Sequence, residues 1–88
     1  MKSLMLFKET EDYSNDCDMY AEEFNKQHPD RPLSVINDPD KIEQIVRLYG
    51  LSELPAILIL LDDGKLNAVW QGRMLPMKDE VMSYLLNV

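Results

Sequence analysis

Ala56-Ile57-Leu58-Ile59-Leu60-Leu61 is apolar at every position, with Leu54-Pro55 before it and Asp62-Asp63-Gly64-Lys65 after it. A run this short, punctuated on both sides, predicts a strand buried on both faces in the middle of a sheet. Asp62 to Lys65 is turn chemistry, with Gly64 able to take positive φ, so Leu66 to Gln71 returns as the second strand of a β-hairpin. A strand with two buried faces needs helices on both sides of its sheet, and the flanking sequence provides the patterns for them.

Immediately upstream, Ile42, Ile45, Val46 and Tyr49 recur at helical spacing. Asp38-Pro39 reads as an N-cap followed by proline in the first turn, and Gly50 as the stop, so this helix covers roughly Pro39 to Tyr49. Before it, Pro32 to Asn37 has the partly β-branched character of a buried strand. Farther upstream, Cys17, Tyr20, Ala21, Phe24 and His28 share one helical face. They predict a helix from about Ser14 to Gln27, with Ser14 as N-cap, Asp16 and Asp18 complementing the helix dipole, and His28-Pro29 ending it. The apolar run Leu4 to Phe7 supplies a first strand. Downstream, after Gly72 and Pro76, Met77, Val81, Tyr84, Leu85 and Val88 mark a last amphipathic helix.

The resulting order is β-α-β-α-β-β-α. The opening β-α-β unit requires a right-handed crossover between parallel strands, whereas the hairpin strands must be antiparallel. The expected fold is therefore α/β, with a four-stranded mixed sheet and helices on both faces. The 88 residues make one domain, 1–88, and no repeat or low-complexity stretch divides them.

Composition narrows the function classes. Nine basic residues against sixteen acidic ones give a net charge of -7, which repels a phosphate backbone or an anionic membrane surface. Residues 9–23 hold seven acids and no base. One cysteine, Cys17, cannot form an internal disulfide, and with the single His28 it leaves too few ligands for a zinc site. No metal or other cofactor is expected. Lys8-Glu9 cuts the N-terminal apolar run short of a signal peptide, no stretch approaches a membrane span, and the expected address is the cytoplasm.

Tyr49-Gly50-Leu51-Ser52-Glu53-Leu54-Pro55 resembles the segment Tyr-Gly-Ile/Val-x-x-Ile/Val-Pro that precedes the central antiparallel strand in the thioredoxin family. The likeness continues through Ala56 to Leu61, the Asp63-Gly64 turn, Leu66 to Gln71, Gly72 and the final helix, so it covers most of the chain at about the size of a glutaredoxin. The resemblance implies a thioredoxin-like fold. It further implies that Pro55 is the family's cis-proline and that Leu54 offers its backbone to an extended peptide. The groove implied in this way comprises Tyr13, Ser14, Leu54, Pro55 and Gly72.

The family's Cys-x-x-Cys falls here on Ser14-Asn15-Asp16-Cys17, a degenerate site in which the attacking cysteine is serine. Thiol-disulfide exchange needs a thiolate nucleophile, and a serine hydroxyl does not replace one. His28 lies fourteen residues beyond Ser14, roughly 20 Å at about 1.5 Å per residue, too far to act as its base. Ser14 is expected to cap the helix. Cys17, on the apolar stripe and flanked by Asp16 and Asp18, reads as a small core residue, with catalysis as a monothiol the competing possibility. A Ser/Thr-x-x-Cys pattern also resembles peroxiredoxins, but their accompanying proline and arginine have no counterpart here. Glutathione is disfavoured: Gly72 is followed by Arg73 instead of a second glycine, Lys8 and Arg73 are the only bases near the site, and the first helix is acidic. Lys8 also stands near where thioredoxins bury an acid that assists proton transfer.

Elsewhere, Trp70 is expected to pack across the hairpin. Met74 and Met77, with Leu75, are candidates either for core packing or for an adaptable patch at the Pro55 end. The function these features point to is a redox-inactive module binding a protein or peptide partner. The alternative is an oxidoreductase working through Cys17 alone, and a third is a structural subunit docking through its hairpin edge.

Overall fold

The computed structural model describes residues 1–86, in which seven elements follow one another: β1 (Lys2–Leu6), α1 (Ser14–Gln27), β2 (Leu33–Ile36), α2 (Pro39–Tyr49), β3 (Ala56–Leu60), β4 (Leu66–Gln71) and α3 (Lys78–Leu86). The sheet order is β2-β1-β3-β4. β1 and β2 are parallel, while β1 with β3 and β3 with β4 are antiparallel, giving the mixed four-stranded sheet that the element order demands.

β3 is buried along its whole length because it lies between β1 and β4 with apolar side chains on both faces. Ile57 and Ile59 project into one core with Met5, Cys17, Phe24, Val81 and Leu85, the side covered by α1 and α3. Ala56, Leu58 and Leu60 project oppositely and meet Leu6 and Ile42, the side covered by α2. This two-residue alternation explains why every position of the strand must be apolar.

The turn after β3 is closed by Gly64 N–H donating to the Leu61 carbonyl at 2.9 Å and Leu61 N–H donating to the Lys65 carbonyl at 2.8 Å, with Gly64 at φ 88°. α2 begins where Asp38 accepts from Asp40 N–H and ends at Gly50, whose N–H donates to the Val46 carbonyl. The expected stripe of α2 is unequally covered: Ile42 is buried, whereas Ile45, Val46 and Tyr49 are half-buried.

Three expectations are corrected. β2 is not a buried interior strand; it forms one edge of the sheet, and only Leu33 in it is buried. Its β-branched composition signals a strand without saying how many neighbours that strand has. Ser14 does not cap α1: the cap position belongs to Tyr13, which makes no side-chain cap hydrogen bond. The chain enters through a turn in which Ser14 N–H donates to the Glu11 carbonyl, so Ser14 is already helical. Met77 precedes α3 and is 75% exposed, leaving Val81 and Leu85 as the helix's buried residues, with half-buried Met82 against the same core. The stripe position expected at Val88 lies outside the described residues.

Two side-chain clamps fix the layers. Asn25 on α1 accepts from Leu33 N–H at 2.7 Å and donates to the Leu33 carbonyl at 3.2 Å. Tyr20 Oη donates to the Pro76 carbonyl at 2.8 Å, tying α1 to the segment entering α3. Trp70 packs toward α3 as well as its hairpin partner: it opposes Ile57 in the ladder and meets Tyr84 edge-on at 5.3 Å. No helix among the described residues is long and apolar enough to cross a membrane.

Candidate functional site

The start of α1, the Leu51–Pro55 loop and the Gly72–Leu75 segment converge at one end of the sheet, around two adjoining depressions. The larger has a volume of about 700 Å³ and lies between α2 and the loop. Ile42, Val46, Leu51 and Leu54 contribute its apolar lining, Tyr13 closes one side, and Lys8, Glu11, Glu43, Glu53 and Arg73 supply charge. The smaller, about 220 Å³, is bordered by Tyr13, Cys17, Pro55 and Leu75, with Asp12, Asp16 and Arg73 on its polar side.

Tyr13, Cys17, Leu54 and Pro55 are thus brought together, and Gly72 joins them by donating its N–H to the Pro55 carbonyl at 2.9 Å. Ser14 is half-buried and lines neither depression. The Leu54–Pro55 peptide bond is cis.

The loop before Pro55 is held by one side chain. Gln71 Oε1 accepts from Ser52 N–H at 2.7 Å, Ser52 Oγ at 3.2 Å and Glu53 N–H at 3.1 Å. Neither the N–H nor the carbonyl of Leu54 has a hydrogen-bond partner among the described residues. Glu53 lies over Gly72 so closely that a Cβ on the glycine would stand 2.8 Å from Glu53 Oε2. Gly72 also has φ 103°, so it is doubly constrained.

Arg73 joins the two depressions. Its guanidinium contacts both carboxylate oxygens of Asp12, at 2.9 and 3.2 Å, and sits 5.3 Å from the centre of the Tyr13 ring. The Tyr13 hydroxyl is raised above its ordinary pKa, first by burial and then by the Glu11 charge.

Cys17 is only 1% exposed, and its thiol is pushed up to about 11 by burial and then by Asp16 and Asp18. At neutral pH it is a protonated thiol in the core. No group of three or more His, Cys, Asp or Glu side chains suited to a metal ion occurs among the described residues. Beside the site, Met74 is 94% exposed and Met77 is exposed as well, whereas Leu75 is half-buried and packs against the core.

Arg73 stands out in the sequence only as a base, and Lys8 as a base near where the resembled family buries an acid. The Arg73–Asp12 pair, the Gln71 clamp and the position of Glu53 over Gly72 had no local signal, since each joins residues far apart in the chain.

No family model matches the chain, and no curated protein matches it. A solved structure described as "Structure of a malarial protein" is similar, with a TM-score of 0.68 at 16% identity over 97% of this chain and 92% of that one. The likeness is one of fold: this chain has a small α/β architecture in common with that malarial protein.

Proposed function

We propose that this chain is a thioredoxin-like protein- or peptide-binding module without dithiol chemistry, binding an extended segment across Tyr13, Leu54, Pro55 and Gly72. The observation that carries the reading is the meeting of these residues beside a single thiol that is buried and pushed up to about 11. The strand order and the helices on both faces are compatible with a thioredoxin-like topology. Leu54, with its unpaired backbone groups beside an apolar depression, suits recognition by strand-like pairing. Such a chemistry favours a protein partner over nucleic acid, and a reducing cytoplasmic setting would keep Cys17 a thiol.

Monothiol exchange through Cys17 is the less supported reading. Cys17 does border the smaller depression, but the acids and burial around it favour the thiol over the thiolate. Reduction of insulin by dithiothreitol separates the two. Turnover equal to a Cys17→Ala control is expected, and turnover above that control would overturn the binding-module reading.

A further inference from the structure

Charge around the two depressions is unevenly cancelled. Arg73 is matched by Asp12 at 2.9 Å, and Glu43 by Arg47 on the next turn of α2 at 2.5 Å. The charged linings that remain are Glu11, Asp16 and Glu53 against Lys8, none of them in an ion pair among the described residues. Glu11 and Glu53 are both exposed, so each can meet a ligand without moving core side chains. Beneath them the lining is apolar, from Ile42, Val46, Leu51 and Leu54.

We infer that the groove selects an extended peptide segment in which lysine or arginine adjoins an apolar side chain. The inference rests on the peptide-binding reading and names the partner chemistry of that site. The apolar side chain enters the depression of about 700 Å³ between α2 and the Leu51–Leu54 loop. The neighbouring cation reaches back along the rim of the same depression, where the carboxylates of Glu11 and Glu53 receive it. A net charge of -7 raises the local concentration of such segments and repels acidic ones. Lys8 is the one opposing charge and sets a limit on the preference.

A phage-displayed library of random heptapeptides, selected on the purified chain, tests this. Enrichment of Lys or Arg beside Leu, Ile, Val or Phe is expected. A synthetic peptide of the enriched sequence should bind at least about tenfold more tightly than its Lys→Glu counterpart in 50 mM salt, with the gap narrowing in 500 mM salt. Glu11→Gln combined with Glu53→Gln should weaken the basic peptide about three- to tenfold, and Lys8→Ala should strengthen it. Because these three side chains are exposed, circular dichroism of the variants should match the parent. Binders without a basic bias, or variants that leave the preference unchanged, would overturn the inference while leaving peptide binding intact. Recovery of no binders would overturn the binding reading together with it.

Discussion

Arg73, on the segment leaving β4, grips Asp12, on the loop entering α1, through two nitrogen–oxygen contacts of 2.9 and 3.2 Å across 61 residues of chain. The pair bridges the two segments that frame the smaller depression. Both side chains are about two-thirds exposed or more, at 66% and 71%, so water and salt screen their attraction.

Arg73→Ala should therefore cost little stability, roughly 0–1 kcal/mol in urea denaturation. Its larger effect should fall on Tyr13, whose ring loses the cation 5.3 Å away. Tyrosine fluorescence quenching by acrylamide, which is uncharged, should rise. A stability loss several times larger would mean that the pair holds the fold and not only the site.

Gly72→Ala should destabilise by about 1–3 kcal/mol, because the residue sits at φ 103° where an L side chain is strained. The added Cβ also meets Glu53 Oε2 at 2.8 Å, but that carboxylate can swing away. Adding Glu53→Ala should recover only the contact portion of the loss. Complete recovery in thermal denaturation would show that backbone conformation contributes nothing.

Gln71→Ala removes the acceptor shared by Ser52 N–H, Ser52 Oγ and Glu53 N–H. These groups are exposed and can turn to water, so the expected cost is about 0.5–1.5 kcal/mol. Amide hydrogen exchange at Ser52 and Glu53 should accelerate well beyond that of β3. Equal acceleration in both places would indicate global loosening.

The alkaline limb of stability should carry the mark of two buried acids. The Cys17 thiol rises from 9.0 to about 11 and the Tyr20 hydroxyl from 10.0 to about 12, both chiefly through burial. Folding favours their protonated forms, so their contribution is complete below about pH 9 and is lost as pH climbs through the folded-state values. Urea midpoints should fall from pH 9 to 11, and Cys17→Ala should flatten that fall. Alkylation of native Cys17 should show a half-rate point far above 8.5; a value below it would restore the monothiol reading.

Features carrying their own local signal are legible in the chain itself. β3 announces itself by six consecutive apolar residues, the hairpin by Asp63-Gly64, and α2 by Asp38-Pro39 and Gly50. The edge position of β2 was not legible, because Val35 and Ile36 look alike in central and edge strands. Ser14 misled for a related reason: a serine before an apolar stripe is the ordinary cap, but the preceding turn from Lys8 to Ser14 brings the chain into helical geometry one residue early. At the site, Tyr13, Ser14, Leu54, Pro55 and Gly72 follow from the family resemblance of the Tyr49–Pro55 segment, although Ser14 lines neither depression, while Asp12, Glu53 and Gln71 acquire their roles only from tertiary proximity.

The Asn25 carboxamide that spans Leu33 has a consequence for how molecules of this protein meet one another. The N–H and carbonyl of a strand residue point the same way, and those of Leu33 are both engaged by Asn25. In a four-residue margin, that leaves scarcely any backbone for a second molecule to zip onto. A single amide side chain thus occupies the backbone groups through which another strand would pair along this margin, and leaves β4 as the edge of the sheet with the longer open backbone.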